Sequence, residues 1–412
     1  MEKKQNVPAL RFQGFSGEWE KYNLSMLSGV ITKGTTPLDK SGKGDVNFIK
    51  IENIDANTGA IHVTQKISQE EHNGYLKRSQ LKENDILFSI AGTLGRVAVV
   101  KANLLPANTN QALAIIRLKK GNFQYVKTYL QGKAVENFLK ANPTVGAQPN
   151  LSLAQVGDLE VVMPEESKEQ ENISDFFQYW DELIFHTMAK IKRLRQFRQA
   201  MLAKLFPREG AAEPELRFRG FSGKWKSQKM KDLGSFLKGK LYSKKNIQTS
   251  GVPLILYGRL YTQYELVIDE VDTFAVPYEN SVWSIGGEVI VPASGETAED
   301  IAIASVVKRK GILLGGDLNI IRPNDTVSSV FLALSISYGH IHNELAKRAQ
   351  GKSIVHIHNS DLVQLDIRLP SIEEQKAIGD FFYQLDRYIS LQQKKLERMQ
   401  RLKAALLEKL FV

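Results

Sequence analysis

The chain has 412 residues, enough for two to three domains with apolar cores, and its 55 basic and 45 acidic residues give a formal net charge of +10. It contains no cysteine, which excludes disulfides, cysteine–zinc sites, iron–sulfur clusters and thiol nucleophiles. It has no apolar run of about 18 residues and no signal-like N-terminus, so we expect a soluble cytoplasmic protein without a membrane partner. The basic excess suits a polyanionic partner without defining one.

The sequence repeats itself with an offset of about 205 residues. The segment Pro-Ala-Leu-Arg-Phe-Gln-Gly-Phe-Ser-Gly-Glu-Trp, which ends at Trp19, returns in similar form and ends at Trp225. The stretch 170–206 returns as 375–411, and both copies end in Lys-Leu-Phe. A repeat of this length indicates a duplicated domain pair and not a solenoid. Because both tryptophans hold the same place beside the repeated motif, we expect them to pack in cores and not to stack on bases.

Each copy continues into a β-rich region. Short runs of β-branched residues bounded by Gly, Asn and Pro predict strands at 47–51, 85–90, 96–100, 113–117, 252–256, 288–291, 302–307 and 318–322. They indicate an α+β fold with two β-rich domains, each with a curved or barrel-like sheet. Ile-Ile-Arg recurs at 115–117 and 320–322, so we expect the two domains to share a fold although their surfaces differ.

Each copy ends in a long helix. Apolar residues follow alternating spacings of three and four, which is typical of a coiled coil. The two seams are Ile173, Phe177, Trp180, Ile184, Ile191, Leu194, Met201 and Leu205, and Ile378, Phe382, Leu385, Ile389, Leu396, Met399, Leu406 and Leu410. The patterns predict a first β-rich domain at 1–163, a central helix at 164–207, a second β-rich domain at 208–369 and a C-terminal helix at 370–412.

The polar and charged residues of these helices favour antiparallel pairing with pseudo-two-fold symmetry. Thr187 and Gln392 interrupt the seams near their midpoints, and in an antiparallel coiled coil they would face each other and fix the register. Residues 164–185 hold seven acids and one base, whereas 186–208 hold seven bases and no acid. The second helix has the same bias, so antiparallel pairing sets acidic starts beside basic ends. The basic halves suit a solvated face, with phosphate contact as the alternative.

This arrangement resembles the specificity subunit of type I restriction-modification systems over essentially the whole chain. The most specific segments are 84–95, 256–262 and the helix start 370–382, although the first helix has one more residue between its proline and glutamine. The resemblance implies two target recognition domains, each reading one half of a bipartite asymmetric site in double-stranded DNA. It also implies that the helices set the spacer and dock two methyltransferase subunits, with ATP-dependent restriction subunits as further partners.

Catalysis by this chain is not predicted. Gly234 to Lys240 nearly spells a phosphate-binding loop, but Leu241 stands where a Mg²⁺-binding hydroxyl is needed. Asn142-Pro-Thr lacks the rest of a methyltransferase motif, and Glu374-Gln-Lys lies at a helix start where acids are expected. S-adenosylmethionine, ATP and Mg²⁺ are therefore expected on the partner subunits, and no cofactor on this chain. The alternative is a non-catalytic scaffold that binds RNA or non-specific DNA, although the aromatic–basic signature of an RNA-recognition motif is absent.

Candidate DNA contacts are polar residues on loops, with glycine where the backbone must approach closely. In the first domain they are Lys33, Gly34, Thr35, Thr36, Ser89, Gly92, Thr93, Arg96, Asn108, Asn110, Gln111, Gln148 and Asn150. In the second they are Lys238, Lys240, Tyr242, Lys244, Lys245, Tyr257, Arg259, Tyr261, Ser294, Thr297, Lys352, Ser353 and His356. Each also fits an ordinary solvated turn. The His-x-His pairs at 340–342 and 356–358 would each point to one face of a strand, but without acidic or cysteine ligands clearly nearby we expect no metal site.

Overall fold

The structure, a computed structural model, describes residues 6–141, 150–349, 351 and 354–412. The chain divides into two compact units, of which the first comprises Met1–Ala189 with Lys394–Val412 and the second Lys190–Gln393. Each unit thus holds one β-rich domain, part of the first long helix and part of the second. Within the described ranges, no helix is long and apolar enough to cross a membrane.

The first unit holds the strands β1 (Glu20–Asn23), β2 (Ser28–Lys33), β3 (Val46–Ile49), β4 (Gln65–Ile67), β5 (Ile86–Ser89), β6 (Val97–Val99), β7 (Ala107–Thr109), β8 (Leu113–Leu118) and β9 (Glu160–Met163). Its helices are α1 (Leu24–Leu27), α2 (Gln69–Asn73), α3 (Phe123–Leu130), α4 (Lys133–Ala141), α5 (Leu153–Gly157) and the start of α6 (Ser167–Leu205). One sheet has the order β2-β8-β5-β6 and another β4-β3-β7, while β1 pairs with β9. Strand β3 runs parallel to β7 and antiparallel to β4.

The central strands of the first domain are buried on both faces. On β5, Ile86 and Phe88 pack in a core with α3 and the long helices, whereas Leu87 packs in a second core with Ile49 of β3. Strands that are covered on both faces appear in the sequence as continuous apolar runs, because successive side chains all point into a core. The predicted α+β fold with β-rich domains is confirmed, and the domain has two main sheets because each face of the central strands requires an apolar cover.

The second unit holds the strands β10 (Lys226–Lys229), β11 (Gly234–Lys238), β12 (Val252–Ile255), β13 (Val267–Ile268), β14 (Phe274–Ala275), β15 (Trp283–Ile285), β16 (Glu288–Pro292), β17 (Ser294–Gly295), β18 (Ser305–Val307), β19 (Lys310–Leu314), β20 (Leu318–Pro323), β21 (Val355–His356) and β22 (Asp366–Leu369). Its helices are α7 (Arg259–Thr262), α8 (Ala298–Ile301), α9 (Ser329–Ser337), α10 (His340–Arg348), α11 (Asn359–Leu362), the end of α6 and the start of α12 (Ile372–Leu410).

The second domain repeats the sheet plan of the first. Its sheets have the orders β11-β20-β16-β18-β13 and β14-β12-β19-β15, and β10 pairs with β22 as β1 pairs with β9. Strand β12 runs parallel to β19 and antiparallel to β14, as β3 does with its two neighbours. The expectation of a shared fold is confirmed. The second domain adds β13, β15 and the pair of β17 with β21.

Both long helices span 39 residues. In the first unit, Phe177 of α6 stacks on Phe411, which follows α12, and Asp181, one turn further along α6, pairs with Lys403. The residue number rises on one helix as it falls on the other, so these segments are antiparallel. The Thr187 hydroxyl donates to the Leu183 carbonyl of its own helix at 2.8 Å. The register role of Thr187 and Gln392 stays a prediction.

Candidate nucleic-acid interface

A Lys-Gly pair ends the same strand in both domains. Lys33 closes β2 and Lys238 closes β11, and both lysines are exposed. A Cβ atom on the following glycine would lie 2.1 Å from a backbone carbonyl oxygen at Gly34 and 1.8 Å from one at Gly239. Only glycine fits there, so the close backbone approach fixes where each lysine is presented. The pairs are 205 residues apart, a signal that aligning the two repeats would have found.

Two predicted loops of the first domain lie side by side next to Lys33. The Thr35 amide donates to the Thr109 carbonyl at 2.9 Å, and the Thr36 hydroxyl donates to the Gln111 side chain. Thr36 and Gln111 are exposed, whereas the Asn110 side chain accepts a hydrogen bond from the Ala112 amide at 3.2 Å. The structure therefore brings 33–36 and 109–111 together on one surface of the domain.

The loop 89–96 has an internal base and an exposed tip. The Ser89 hydroxyl donates to the Thr93 carbonyl at 2.6 Å and accepts from the Arg96 amide at 2.7 Å. The Arg96 guanidinium donates to two carbonyl oxygens of the 51–54 turn at 3.1 and 2.9 Å. Gly92, with φ of 71°, and the Thr93 side chain are exposed at the tip. Ser89 and Arg96 hold the loop, and its tip is what a ligand would meet.

Asn108 is an internal residue. Its side chain is fully buried, and its amide nitrogen donates to the Leu76 carbonyl at 2.9 Å and to the Ser79 hydroxyl at 3.1 Å. These bonds tie β7 to the segment after α2, so Asn108 is not accessible to an external ligand here. Asn150 is exposed and forms an isolated β-bridge with Ala91. The predicted Gln148 lies outside the described residues.

A pocket of about 790 Å³ brings five predicted residues of the second domain together. They are Tyr242, Lys244, Lys245, Tyr257 and Arg259. The two lysines lie in a short 3-10 helix, Lys244–Asn246, and are exposed. Neither lysine forms an ion pair with any residue that the structure describes. Aromatic walls beside unneutralised ammonium groups suit a nucleic acid, which presents both flat bases and phosphates.

Tyr242 and Arg259 shape this pocket through internal bonds. The Tyr242 side chain is 3% exposed, and its hydroxyl lies 2.5 Å from the Ser281 hydroxyl. The Arg259 guanidinium donates to Asp272 at 2.6 Å and to Glu265 at 2.9 Å. Both side chains are thus committed to the wall of the pocket, and the two exposed lysines contribute accessible cationic donors. Lys240 is likewise exposed beside the pocket.

A second polar group of the second domain surrounds β17. The Ser294 hydroxyl lies 3.1 Å from the His356 Nδ1, and the Tyr261 hydroxyl donates to the Ser294 carbonyl at 2.8 Å. Burial raises the pKa of Tyr261, which therefore stays a neutral donor. The Thr297 hydroxyl caps α8 by accepting from the Asp300 amide at 3.1 Å.

The strand interpretation of the first His-x-His pair is wrong. His340 and His342 lie in α10, which begins after Gly339 with φ of 83°. The His342 ring contacts the Ala302 carbonyl at 2.8 Å. His356 ends β21, and its ring stacks on His358 at a centroid distance of 6.3 Å. The predicted Lys352 and Ser353 lie outside the described residues.

Sequence reasoning missed an ion pair that joins each repeat-start motif, residues 8–19 and 214–225, to a long helix. Arg11 binds Glu169 of α6 through two hydrogen bonds of 2.7 and 2.8 Å, and Arg217 binds Glu374 of α12 in the same way. The two carboxylates are 1% and 2% exposed. The hydrogen bond that Arg217 donates to Glu374 raises the pKa of Arg217 above its ordinary value. All four residues recur in the repeat, and that recurrence was the available signal.

Two tandem domains on long helices, each with exposed basic loops, define a class of nucleic-acid-binding protein with duplicated reading modules. The family model described as the type I restriction modification DNA specificity domain matches residues 16–196 and 222–401, and the chain belongs to this family. It is therefore a DNA sequence-specificity subunit of the type I class, and the RNA scaffold alternative is not favoured.

Individual relatives agree with this assignment. The MjaVIII specificity subunit of Methanocaldococcus jannaschii is 23% identical over 338 residues, which cover 78% of this chain and 77% of that protein. The EcoBI specificity subunit of Escherichia coli is 25% identical over 178 residues, which cover 42% of this chain and 37% of that protein. The crystal structure of a type I S subunit from M. genitalium is similar in fold, with a TM-score of 0.66, 15% identity and coverage of 98% and 99%.

Proposed function

We propose that the two β-rich domains are separate readers of a bipartite, asymmetric site in double-stranded DNA. The observation that carries this proposal is a common sheet plan that bears different loops. The first domain exposes Lys33 and Thr36 beside Gln111, whereas the second forms the pocket lined by Lys244 and Lys245. Two unlike surfaces on one fold suit two unlike half-sites. The chain would act in the cytoplasm, where such DNA is found.

The long helices would set the spacer between half-sites and dock two methyltransferase subunits. Restriction subunits would then bind to this assembly. Phe197 of α6 and Leu402 of α12 are 205 residues apart and are 48% and 43% exposed. Exposed large apolar side chains at equivalent positions suit two copies of one partner, since a protein interface buries such residues. A solved structure that is similar in fold, with a TM-score of 0.52, 17% identity and coverage of 95% and 97%, concerns complex assembly of the type I R-M system.

The chain itself would carry no catalytic centre, with S-adenosylmethionine, ATP and Mg²⁺ held by partner subunits. The segment that resembles a phosphate-binding loop forms β11, Gly234–Lys238, and not a loop before a helix. Its backbone amides therefore serve a sheet and not a phosphate. Glu374, which imitates a nuclease carboxylate, is buried against Arg217. A purified chain that transferred methyl groups to DNA by itself would contradict this part of the proposal.

A domain exchange tests the two-reader proposal. Residues of about 20–160 are replaced by the corresponding domain of a relative, the chimera is expressed with its methyltransferase, and methylated bases are sequenced across the genome. We expect one half of the methylated motif to change while the other half and the spacer stay the same. The matched variant is Lys244→Ala with Lys245→Ala, which should weaken or relax the other half only. If both halves changed together in either case, the domains would not be separate readers.

A further inference from the structure

A buried group of three charges joins the first β-rich domain to both long helices. Asp181 of α6 lies between Lys127 of α3 and Lys403 of α12, with an N–O distance of 2.5 Å to each. The three residues are 8%, 6% and 5% exposed. One carboxylate thus serves two ammonium groups away from solvent. Loss of Asp181 would leave two buried ammonium groups without a counter-charge, so this carboxylate holds both lysines in place.

The remaining acceptors come from a loop of the β-rich domain. Lys127 donates to the Thr58 carbonyl at 3.1 Å and Lys403 donates to the Asn57 carbonyl at 2.8 Å. The Asp55 side chain holds this loop by accepting from the amides of Asn57 at 3.1 Å and Thr58 at 2.9 Å. The loop cannot move away from the helices without leaving both ammonium groups short of an acceptor.

The second unit repeats the helix part of this arrangement but not the domain part. Asp386 and Arg198 stand 205 residues from Asp181 and Lys403, and they pair with each other. The third contact is the hydroxyl of Tyr338, which lies 3.3 Å from Arg198. The position equivalent to Lys127 is occupied by the buried Ala333, because α3 and α9 align with an offset of 206. The matching contacts of Tyr125 with Phe411 and of Phe331 with Phe206 show this alignment. The helix pair is common to both copies, whereas the connection to the reading domain is particular to each.

Opposing electrostatic effects act on the charged form of Lys127. Burial lowers the pKa of Lys127, Asp181 opposes this effect and Lys403 adds to it. In the second unit, burial also disfavours the Arg198 cation, but the hydrogen bond and charge of Asp386 outweigh it and raise the pKa. Removing the Lys127 charge would therefore leave a balanced pair of Asp181 and Lys403, as in the second unit, and should not prevent folding.

We propose that Lys127, Asp181 and Lys403 form a clamp that fixes the orientation of the first recognition domain on the long helices and so restricts the number of base pairs between the half-sites. This proposal rests on the proposed reading of a split site. One base pair rotates B-DNA by about 35° and advances it by about 3.4 Å, so a domain that could turn by this amount would accept a spacer one base pair longer or shorter. Lys127 is a positioning residue that acts through Asp181 and does not touch DNA.

Two variants release the clamp by different routes. Lys127→Leu removes the buried ammonium group and leaves an apolar side chain, and Asp55→Ala loosens the loop that carries the two carbonyls. The matched control is Lys140→Leu, which makes the same change at an exposed position of α4. Each full chain is expressed with its methyltransferase in cells whose DNA contains sites with the native spacer and with one base pair more or fewer. Methylated-base sequencing gives the preference for the native spacer.

We expect the wild type and the control to prefer the native spacer by roughly tenfold or more, and both variants to lower this ratio to about threefold or less, because a loosened domain strains an off-length site less. The half-site sequences should stay the same. A wild type without a split motif contradicts the proposed function itself. A split motif with an unchanged spacer ratio in the folded variants overturns the clamp alone, as does a changed half-site sequence. Thermal unfolding of the purified chain shows whether Lys127→Leu is folded. If it is not, the spacer ratio of Asp55→Ala tests the clamp.

Discussion

Exposure and internal hydrogen bonding divide the predicted DNA contacts into accessible residues and internal supports. Ser89 and Asn108 are fully buried and bonded within the domain, while Lys33 and the Thr93 loop tip are exposed. A sequence shows that a residue is polar and lies near glycine, but it does not show which polar group finds an internal partner. That depends on contacts between residues far apart in the chain, such as the bond from Asn108 to the carbonyl 32 residues before it.

Asn108→Ala should destabilise the protein without changing what it reads. The Leu76 carbonyl and the Ser79 hydroxyl would lose their donor in a buried site, which costs about 2 kcal/mol. Urea unfolding of the purified chain measures the loss, and methylated-base sequencing should return the wild-type motif. An altered first half-site in a stably folded variant would place Asn108 among the readers after all.

Lys33→Ala should have the opposite profile. The side chain is exposed and forms no ion pair within the described part of the chain, so the free energy of unfolding should change by no more than about 0.5 kcal/mol. If Lys33 contacts a phosphate, affinity should fall and the slope of log affinity against log salt should decrease by about one unit. Binding measured for the assembled methyltransferase at several salt concentrations tests this. An unchanged salt slope would remove Lys33 from the interface.

At the scale of elements, the strands and the long helices were predictable because their cause is local. Continuous apolar runs gave all eight predicted strands to within a few residues, and the spacing of three and four gave both helices. The division of each domain into two sheets was not predictable in this way, since it depends on which face of β5 meets which neighbour. The Arg11 to Glu169 ion pair spans 158 residues and is likewise invisible to a local pattern.

The close approach of a neighbouring backbone carbonyl should make glycine necessary at position 34, which follows β2. Gly34→Ala forces a Cβ against a backbone carbonyl at 2.1 Å, so the strand end must shift, and we expect a loss of about 2 kcal/mol or more. Gly29→Ala is the matched control on the same strand, where the nearest atoms are 3.8 Å away and the change should lie within about 1 kcal/mol. Equal effects of the two substitutions on chemical unfolding would show that the close approach is not what selects Gly34.

At the scale of the whole molecule, the long helices would act as a ruler between half-sites. Removing one heptad near the middle of each helix keeps the apolar seam in phase and shortens each helix by about 10 Å. DNA rises about 3.4 Å per base pair, so the preferred spacer should contract by about three base pairs, or modification should fail. A folded variant that binds its methyltransferase and keeps the original spacer would show that the partner subunits set the distance.

The ends of the two long helices pack in the same way on the two repeat-start motifs. The ring centroids of Phe411 and Trp19 are 6.4 Å apart, and those of Phe206 and Trp225 are 6.0 Å apart. The backbone agrees, since the amides of residues 10 and 216 donate to the carbonyls of residues 409 and 204 at 2.8 and 2.9 Å. A chain of residues 1–207 lacks Phe411 but keeps its equivalent, Phe206.

Two copies of residues 1–207 should therefore exchange helix ends and form a symmetric dimer, each supplying the end that the other lacks. Such a dimer carries two first domains, so its methylated motif should be a palindrome of the first half-site. Analytical ultracentrifugation measures whether the fragment is a monomer or a dimer. Phe206→Ala should raise the dissociation constant of the dimer by about 100-fold or more, because the loss of a buried phenylalanine costs about 3 kcal/mol or more. Gln196→Ala, at an exposed position of α6, is the control. A folded monomer, or an asymmetric motif, would mean that the two helix ends are not interchangeable.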